Sequence, residues 1–189
     1  MHTIHHTDAF ILRQLESGEA NRRVWLFTKE FGLVVATVQG VRKPTAKLRS
    51  HLVDYTLIAV DLVKGRDVWR LVSAEAIQNP FASAYDATSA RTYIRALGLV
   101  ERLCVEEGTH EDLFEHLVEI LQSAGTVHVQ QKLFDAVVLW KIVVFLGYVE
   151  VTAPLMPLFT VPLVSLDASK ETTQQIITTV TTALQQSHL

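Results

Sequence analysis

The chain has 189 residues, 49% of them hydrophobic, and a formal net charge of -3. That apolar content suffices for one compact domain or two small ones. A single cysteine, Cys104, excludes an internal disulfide and any multi-cysteine zinc site, and suits a reducing compartment.

The first residues, MHTIHHTDAF, lack the charged flank and apolar run of a signal peptide. Their histidines, His2, His5 and His6, are expected on a mobile terminus. Five runs then read as strands: Ala9–Leu15, Val24–Glu30, Leu33–Gln39, Tyr55–Val63 and Val68–Ile77. They are rich in β-branched and aromatic residues and are separated by turn signals such as Ser17-Gly18, Gly32, Pro44 and Lys64-Gly65-Arg66-Asp67. Some are apolar on both faces, which suits a closed barrel. Five short strands with a long third-to-fourth connection are the count of an OB-fold, and an SH3-like barrel shares much of the pattern.

After QNPFASAYDA the period changes to roughly 3.6. Tyr93, Ile94, Leu97, Val100, Leu103 and Cys104 form one helical stripe, and Leu113, Phe114, Leu117, Val118 and Leu121 another. Residues 130–147 are apolar almost all round and predict a central helix. The longest apolar run there, AVVLWKIVVFLG, is broken by Lys141 and too short to cross a bilayer, so a soluble, cytoplasmic protein is expected. Pro154, Pro157 and Pro162 then predict a packed, extended segment over 152–166 rather than a regular helix. Ile176, Val180 and Leu184 mark a last helix, against its many threonines. The fold class is α+β: a five-stranded OB-fold barrel over 1–79, then an all-α helical bundle over 80–189.

Charge is unevenly spread. Residues 1–80 hold 11 Lys/Arg against 8 Asp/Glu, and residues 81–189 hold 6 against 12. GVRKPTAKLRS places Arg42, Lys43, Lys47 and Arg49 in one connection, and no acid occurs from Phe31 to Val53. Loops and one barrel face form the usual oligonucleotide site of an OB-fold, so these four are candidate phosphate contacts. Arg22 and Arg23 extend the track, and Arg13, Lys64, Arg66 and Arg70 could widen it. Trp25, Phe27, Phe31, Tyr55 and Trp69 are candidate stacking rings, although each alone reads more simply as core. Arg91, Arg95 and Arg102 share one helical face around Gly98 and suit an acidic peptide; the plainer reading is a solvated face with Arg102 paired to Glu106.

Enzyme signals are weak. No phosphate-binding G-x-x-x-x-G-K-[ST] or G-x-G-x-x-G occurs. Glu107-x-x-His110 and His116-x-x-Glu119 lie near one helix start, whereas a di-iron bundle needs such pairs on separate helices. No catalytic residue, metal ligand or cofactor is assigned.

The pieces LFTKEFG (Leu26–Gly32), GVRKPTAKLRSHL (Gly40–Leu52) and LVSAEAI (Leu71–Ile77), in this order after Gly18-Glu19, resemble the N-terminal domain of the RecO family of bacterial DNA repair proteins. LWKIVVFLGYVEV (Leu139–Val151) resembles that family's last bundle helix. The resemblance implies a recombination mediator rather than an enzyme. Such proteins bind single- and double-stranded DNA, anneal complementary strands, and work with RecR to load RecA onto strands coated by single-stranded-DNA-binding protein (SSB). They hold the acidic, apolar C-terminal tail of SSB on the helical domain. Many members carry a four-cysteine zinc finger after the Gly-Tyr; here that region is TAPLMPLFTVPLVSL, without cysteine. The expectation is a zinc-free variant in which the proline-broken segment covers the bundle, with any RecR contact made by the finger left open. The rival readings are an interaction scaffold whose barrel does not touch DNA, and a metal enzyme built on His110.

Replacing Arg42, Lys43, Lys47 and Arg49 together by alanine should weaken DNA binding. Four lost single-strand contacts should make the salt slope shallower by roughly 3. Unchanged binding in a salt titration would exclude this loop.

Overall fold

A computed structural model describes residues 3–41, 47–66, 68–81, 87–104, 108–123 and 130–187, without the side chains of Lys47, Ser89 and Arg49. These residues form two compact units. The first holds the described residues up to 81 together with 108–111; the second holds 87–104 and 112–187.

The first unit is a closed barrel of β1 (Ile4–Ser17), β2 (Asn21–Thr28), β3 (Gly32–Val38), β4 (Leu57–Lys64) and β5 (Trp69–Gln78), in the order β1-β2-β3-β5-β4. All pairings are antiparallel except the short parallel β3–β5 contact, Ala36 to Trp69 and Thr37 to Arg70. This is the OB-fold. β1 closes it by pairing with β2 along its second half and with β4 along its first half. Its bulge lies at Leu12, since Ile11 faces Leu26 and Arg13 faces Trp25. Alternation places Ala9, Ile11, Val24, Leu26, Val34, Ala36, Ile58, Val60, Leu62 and Leu71 in the barrel interior. Each fully buried aliphatic contributes about 1.5–3 kcal/mol.

The connections follow local chemistry. Gly18 turns the β1–β2 hairpin at φ 66. The β2–β3 turn is held by Thr28, whose hydroxyl donates to the Gly32 carbonyl and accepts from the Phe31 N–H, both at 3.0 Å. Residues 108–110 return to this turn: Gly108 N–H donates to the Phe31 carbonyl (3.1 Å) and the Thr109 hydroxyl to the Glu30 carbonyl (3.1 Å). The expected mobile N-terminus is corrected for its described part. His5 and His6 lie in β1, paired to Leu62 and Asp61, and His6 Nδ1 meets Asp61 Oδ1 at 2.5 Å. The β4 ladder extends β1 five residues beyond what alternation alone marks; His2 is outside the described residues.

The second unit contains α1 (Ala87–Leu103), α2 (Glu111–Ser123, from Asp112 onward), α3 (Gln131–Phe145), α4 (Met156–Thr160) and α5 (Lys170–Gln186). The expected stripes are buried: Tyr93, Leu97 and Val100 on α1, Leu113, Phe114 and Leu117 on α2, Ile176 and Val180 on α5. α3 buries Leu133, Phe134, Val137, Val138, Trp140, Ile142 and Val143, as a central helix must. On α5, Thr178, Thr179 and Thr181 return their hydroxyls to carbonyls one turn back, at 2.8–3.0 Å, so the threonines remain within a helix.

Residues 152–166 differ from the extended form expected of them. They form α4 flanked by single 3-10 turns at Ala153–Leu155 and Leu163–Ser165. Pro154 and Pro157 sit in the first turn of their elements and Pro162 precedes a turn, where a missing N–H and a fixed φ cost little.

Gly32 has φ 63, and a Cβ there would collide with the Gly108 carbonyl oxygen. Gly32→Ala should therefore destabilise the barrel by about 2 kcal/mol, read from its urea midpoint. An unchanged midpoint would mean that the 108–110 return does not clamp this turn.

Candidate nucleic-acid interface

The cations of the barrel are ordered by its cross-strand register. Arg23 pairs with Thr37, and Thr37 with Arg70, which pairs in turn with Val63. Adjacent strands lie about 4.8 Å apart, so Arg23 and Arg70 stand about 10 Å apart on the outer face. Both are exposed and, among the described residues, neither makes an ion pair. The next row is Arg13, Trp25 and Val35.

Here the guanidinium of Arg13 lies 3.7 Å from the centre of the Trp25 ring, and that of Arg23 lies 5.8 Å from it. Cation–π attraction of this kind contributes about 0.5–1 kcal/mol at a half-exposed site. It also corrects the picture of Trp25 as an open platform for bases, because Arg13 already occupies the ring. Trp25 acts as a rest that presents an arginine. The other candidate rings are also engaged. Phe27 is fully buried and stacks on His110 (6.4 Å), and Trp69 is a core residue against His5 and Phe31. Tyr55 packs edge-on to Phe81.

Arg22 serves the barrel end. It donates to the Gln14 amide oxygen (3.3 Å), and Gln14 in turn donates to the Leu52 carbonyl (3.1 Å) and to Asp54 (2.7 Å). Asn21 Oδ1 accepts the Gly40 N–H at 3.0 Å. Both roots of the basic β3–β4 connection are thus tied beside Arg22 and Arg23. Arg42 and Lys43 lie outside the described residues, as do the side chains of Lys47 and Arg49.

Rows displaced along the same strands are acidic. The rows His6–Asp61–Ser73 and Asp8–Ala59–Glu75 border an open cleft of about 520 Å³ that Glu30 and Lys29 also line. Lys29 is 3.6 Å from Glu111.

On the helical unit, Arg91, Arg95 and Arg102 are exposed on α1, and nothing lies within 4 Å of a Cβ built on Gly98. Arg95 also borders a groove of about 290 Å³ between α1, α3 and α5. Its floor is Ala136, Leu139, Ile177, Val180 and Leu184, and Lys132 stands at its rim. Asp135, on the same wall, is engaged by Thr92 (2.5 Å) and Gln131 (2.7 Å). Arg91 and Arg102 do not line this groove, and Glu106, the expected partner of Arg102, is outside the described residues. Sequence reasoning missed Lys132, an isolated lysine at the start of an apolar helix. Among the described residues no three His, Cys, Asp or Glu side chains come together as a metal site, and no helix is long and apolar enough to cross a membrane.

Residues 1–80 match the family described as Recombination protein O N terminal. Several curated proteins named DNA repair protein RecO are similar. That of Gloeothece citriformis is 34% identical over 118 residues, covering 60% of this chain and 42% of the relative. That of a Nocardioides species is 33% identical over 108 residues, 55% of this chain and 43% of the relative. That of Pelotomaculum thermopropionicum is 27% identical over 152 residues, 78% of this chain and 57% of the relative. The chain therefore spans about half the length of the curated relatives it matches.

Proposed function

We propose that this chain, whose first 80 residues match the family described as Recombination protein O N terminal, is a DNA-binding mediator of repair and recombination. It binds single- and double-stranded DNA, anneals complementary strands, and with RecR helps load recombinase onto SSB-coated strands. The observation that carries this reading is the outward row of Arg23 and Arg70 beside the Arg13–Trp25 stack, on an OB-fold whose carboxylate cleft lies elsewhere. Arg42, Lys43, Lys47 and Arg49, in the connection between β3 and β4, are the further phosphate contacts of this reading on their sequence position alone. The work needs no bond chemistry. Arginines neutralise phosphates, release counterions, and let two strands approach within one screened surface. In this reading the chain is a zinc-free member, with residues 152–166 standing where many relatives carry a finger.

The helical unit recruits SSB through its C-terminal tail. The groove bordered by Arg95 and Lys132 supplies an apolar floor with cations at the edge, which suits a peptide with carboxylates and an apolar end. Arg91 and Arg102 extend the same positive face along α1.

Two measurements test this. In the first, Arg23→Ala combined with Arg70→Ala should weaken binding of a labelled single-stranded oligonucleotide. The slope of log affinity against log salt should become shallower by about 1.4. An unchanged slope removes this face from the interface, and no salt-dependent binding by the unaltered protein favours the scaffold reading. In the second, Arg95→Glu should lower affinity for an acidic, apolar-ended SSB tail peptide by about tenfold or more. Unaltered affinity places the tail elsewhere.

A further inference from the structure

A cleft of about 540 Å³ opens on the helical unit between α2, the end of α3 and residues 159–162. Part of its wall is apolar. Phe145 and Phe159 lie 5.2 Å apart with their rings tilted by 49°, and Val161 and Pro162 continue that surface. Another part is α2, where Asp112, Glu115, His116 and Glu119 fall at i, i+3, i+4 and i+7 on one helical face. Among the described residues that line the cleft, Lys141 is the one lysine or arginine, and its ammonium is engaged by the Val161 carbonyl at 3.1 Å. Residues 151–166 add no charge. Three carboxylates therefore face one ammonium that is already occupied.

The side-chain atoms that remain accept rather than donate. Glu119 Oε1 takes the Leu163 N–H at 2.6 Å, which leaves Oε2. His116 is buried at the cleft wall, and its Nε2–H donates to the Val138 carbonyl at 3.2 Å. Burial lowers its pKa from 6.5, so near neutral pH the ring is uncharged and Nδ1 carries a lone pair. That lone pair lies 3.6 Å from Glu119 Oε2, beyond hydrogen-bond reach. Two acceptors thus stand side by side, and the cation beside them is held elsewhere.

A guanidinium fits this set. Its N–H groups spread in one plane, so two can reach two acceptors at once, and its flat face stacks on aromatic rings. An ammonium has no such face to lay on Phe145 or Phe159. A free amino acid matches poorly, because its own carboxylate would meet Asp112 and Glu115 with no unengaged cation to receive it. Nucleic acid and acidic peptides are repelled for the same reason. An arginine set between apolar residues in a chain answers both the charged and the apolar wall.

We propose that this cleft docks an arginine-bearing segment of a partner protein. The guanidinium bridges Glu119 and His116 alongside Phe145 and Phe159, and its apolar neighbours rest on Val161 and Pro162. This goes beyond the DNA-binding reading and does not rest on it.

The test is a titration of the whole chain with acetyl-Leu-Arg-Leu-amide, followed in the NMR resonances of the His116 ring. The peptide should give saturable shifts. Its lysine counterpart and free arginine should each bind about fivefold more weakly, and its glutamate counterpart should leave the ring unmoved. Glu119→Gln, which keeps an acceptor for the Leu163 N–H, should weaken the arginine peptide about fivefold. If that variant does not fold, Asp112→Asn combined with Glu115→Gln, both exposed and clear of Leu163, should weaken it by a similar factor. No saturable shift, equal binding of the lysine peptide, the glutamate peptide or free arginine, or unaltered affinity in the folded variant would overturn the proposal.

Discussion

One extra residue in β1 decides which way Arg13 of this barrel faces. In an unbroken strand Ile11 and Arg13 would share a face, and Ile11 is inside. The bulge at Leu12 shifts the parity, so that Arg13 meets Trp25 on the outer surface while Gln14 pairs with inward-facing Val24. Two consequences follow from that single shift. Arg13 comes to rest on an indole ring instead of being forced into an apolar core. Gln14 arrives at the barrel end, where it links Arg22 to Leu52 and Asp54 and ties the root of the basic connection. The same strand closes the barrel against β4, so the cationic face and the closure share one register.

Much of this was legible in the residues. Strand alternation, turn glycines and the 3.6-residue stripes located all five strands and the four long helices, because each rests on short-range periodicity. What escaped were features that need topology. His5 and His6 carry no strand pattern of their own; they are ordered because β4 offers them a ladder. Arg70 lies far from Arg23 in sequence and becomes its neighbour only through the parallel β3–β5 contact. The return of Gly108 to the β2–β3 turn has no local signal at all. The prolines of residues 152–166 were read as helix breakers, whereas position within the helix decides: at a first turn the absent N–H is one that would have no intrahelical partner.

Lys141 shows how one residue can be noticed and still misjudged. In the sequence it merely interrupts an apolar run. In the fold it is the reason the run can be covered by a proline-rich segment, whose carbonyls need donors once they leave water. Glu119 supplies the complementary acceptor, for the Leu163 N–H. The arrangement is specific in a way that an apolar contact is not, because it fixes the position of Val161 and Leu163 along the helices.

The distribution of charge within the barrel is a stronger argument than its total. A chain of net charge -3 should repel a polyanion at long range. At close range, within a Debye length of about 8–10 Å, only the facing surface matters. The outward rows divide accordingly. Arg13, Arg23 and Arg70 occupy one set, and Asp8, Asp61 and Glu75 occupy rows displaced along the same strands. Val63, the partner of Arg70, and Asp61 are two residues apart on β4, so in the proposed DNA-binding reading the carboxylates border the arginines and bias the orientation in which a strand approaches.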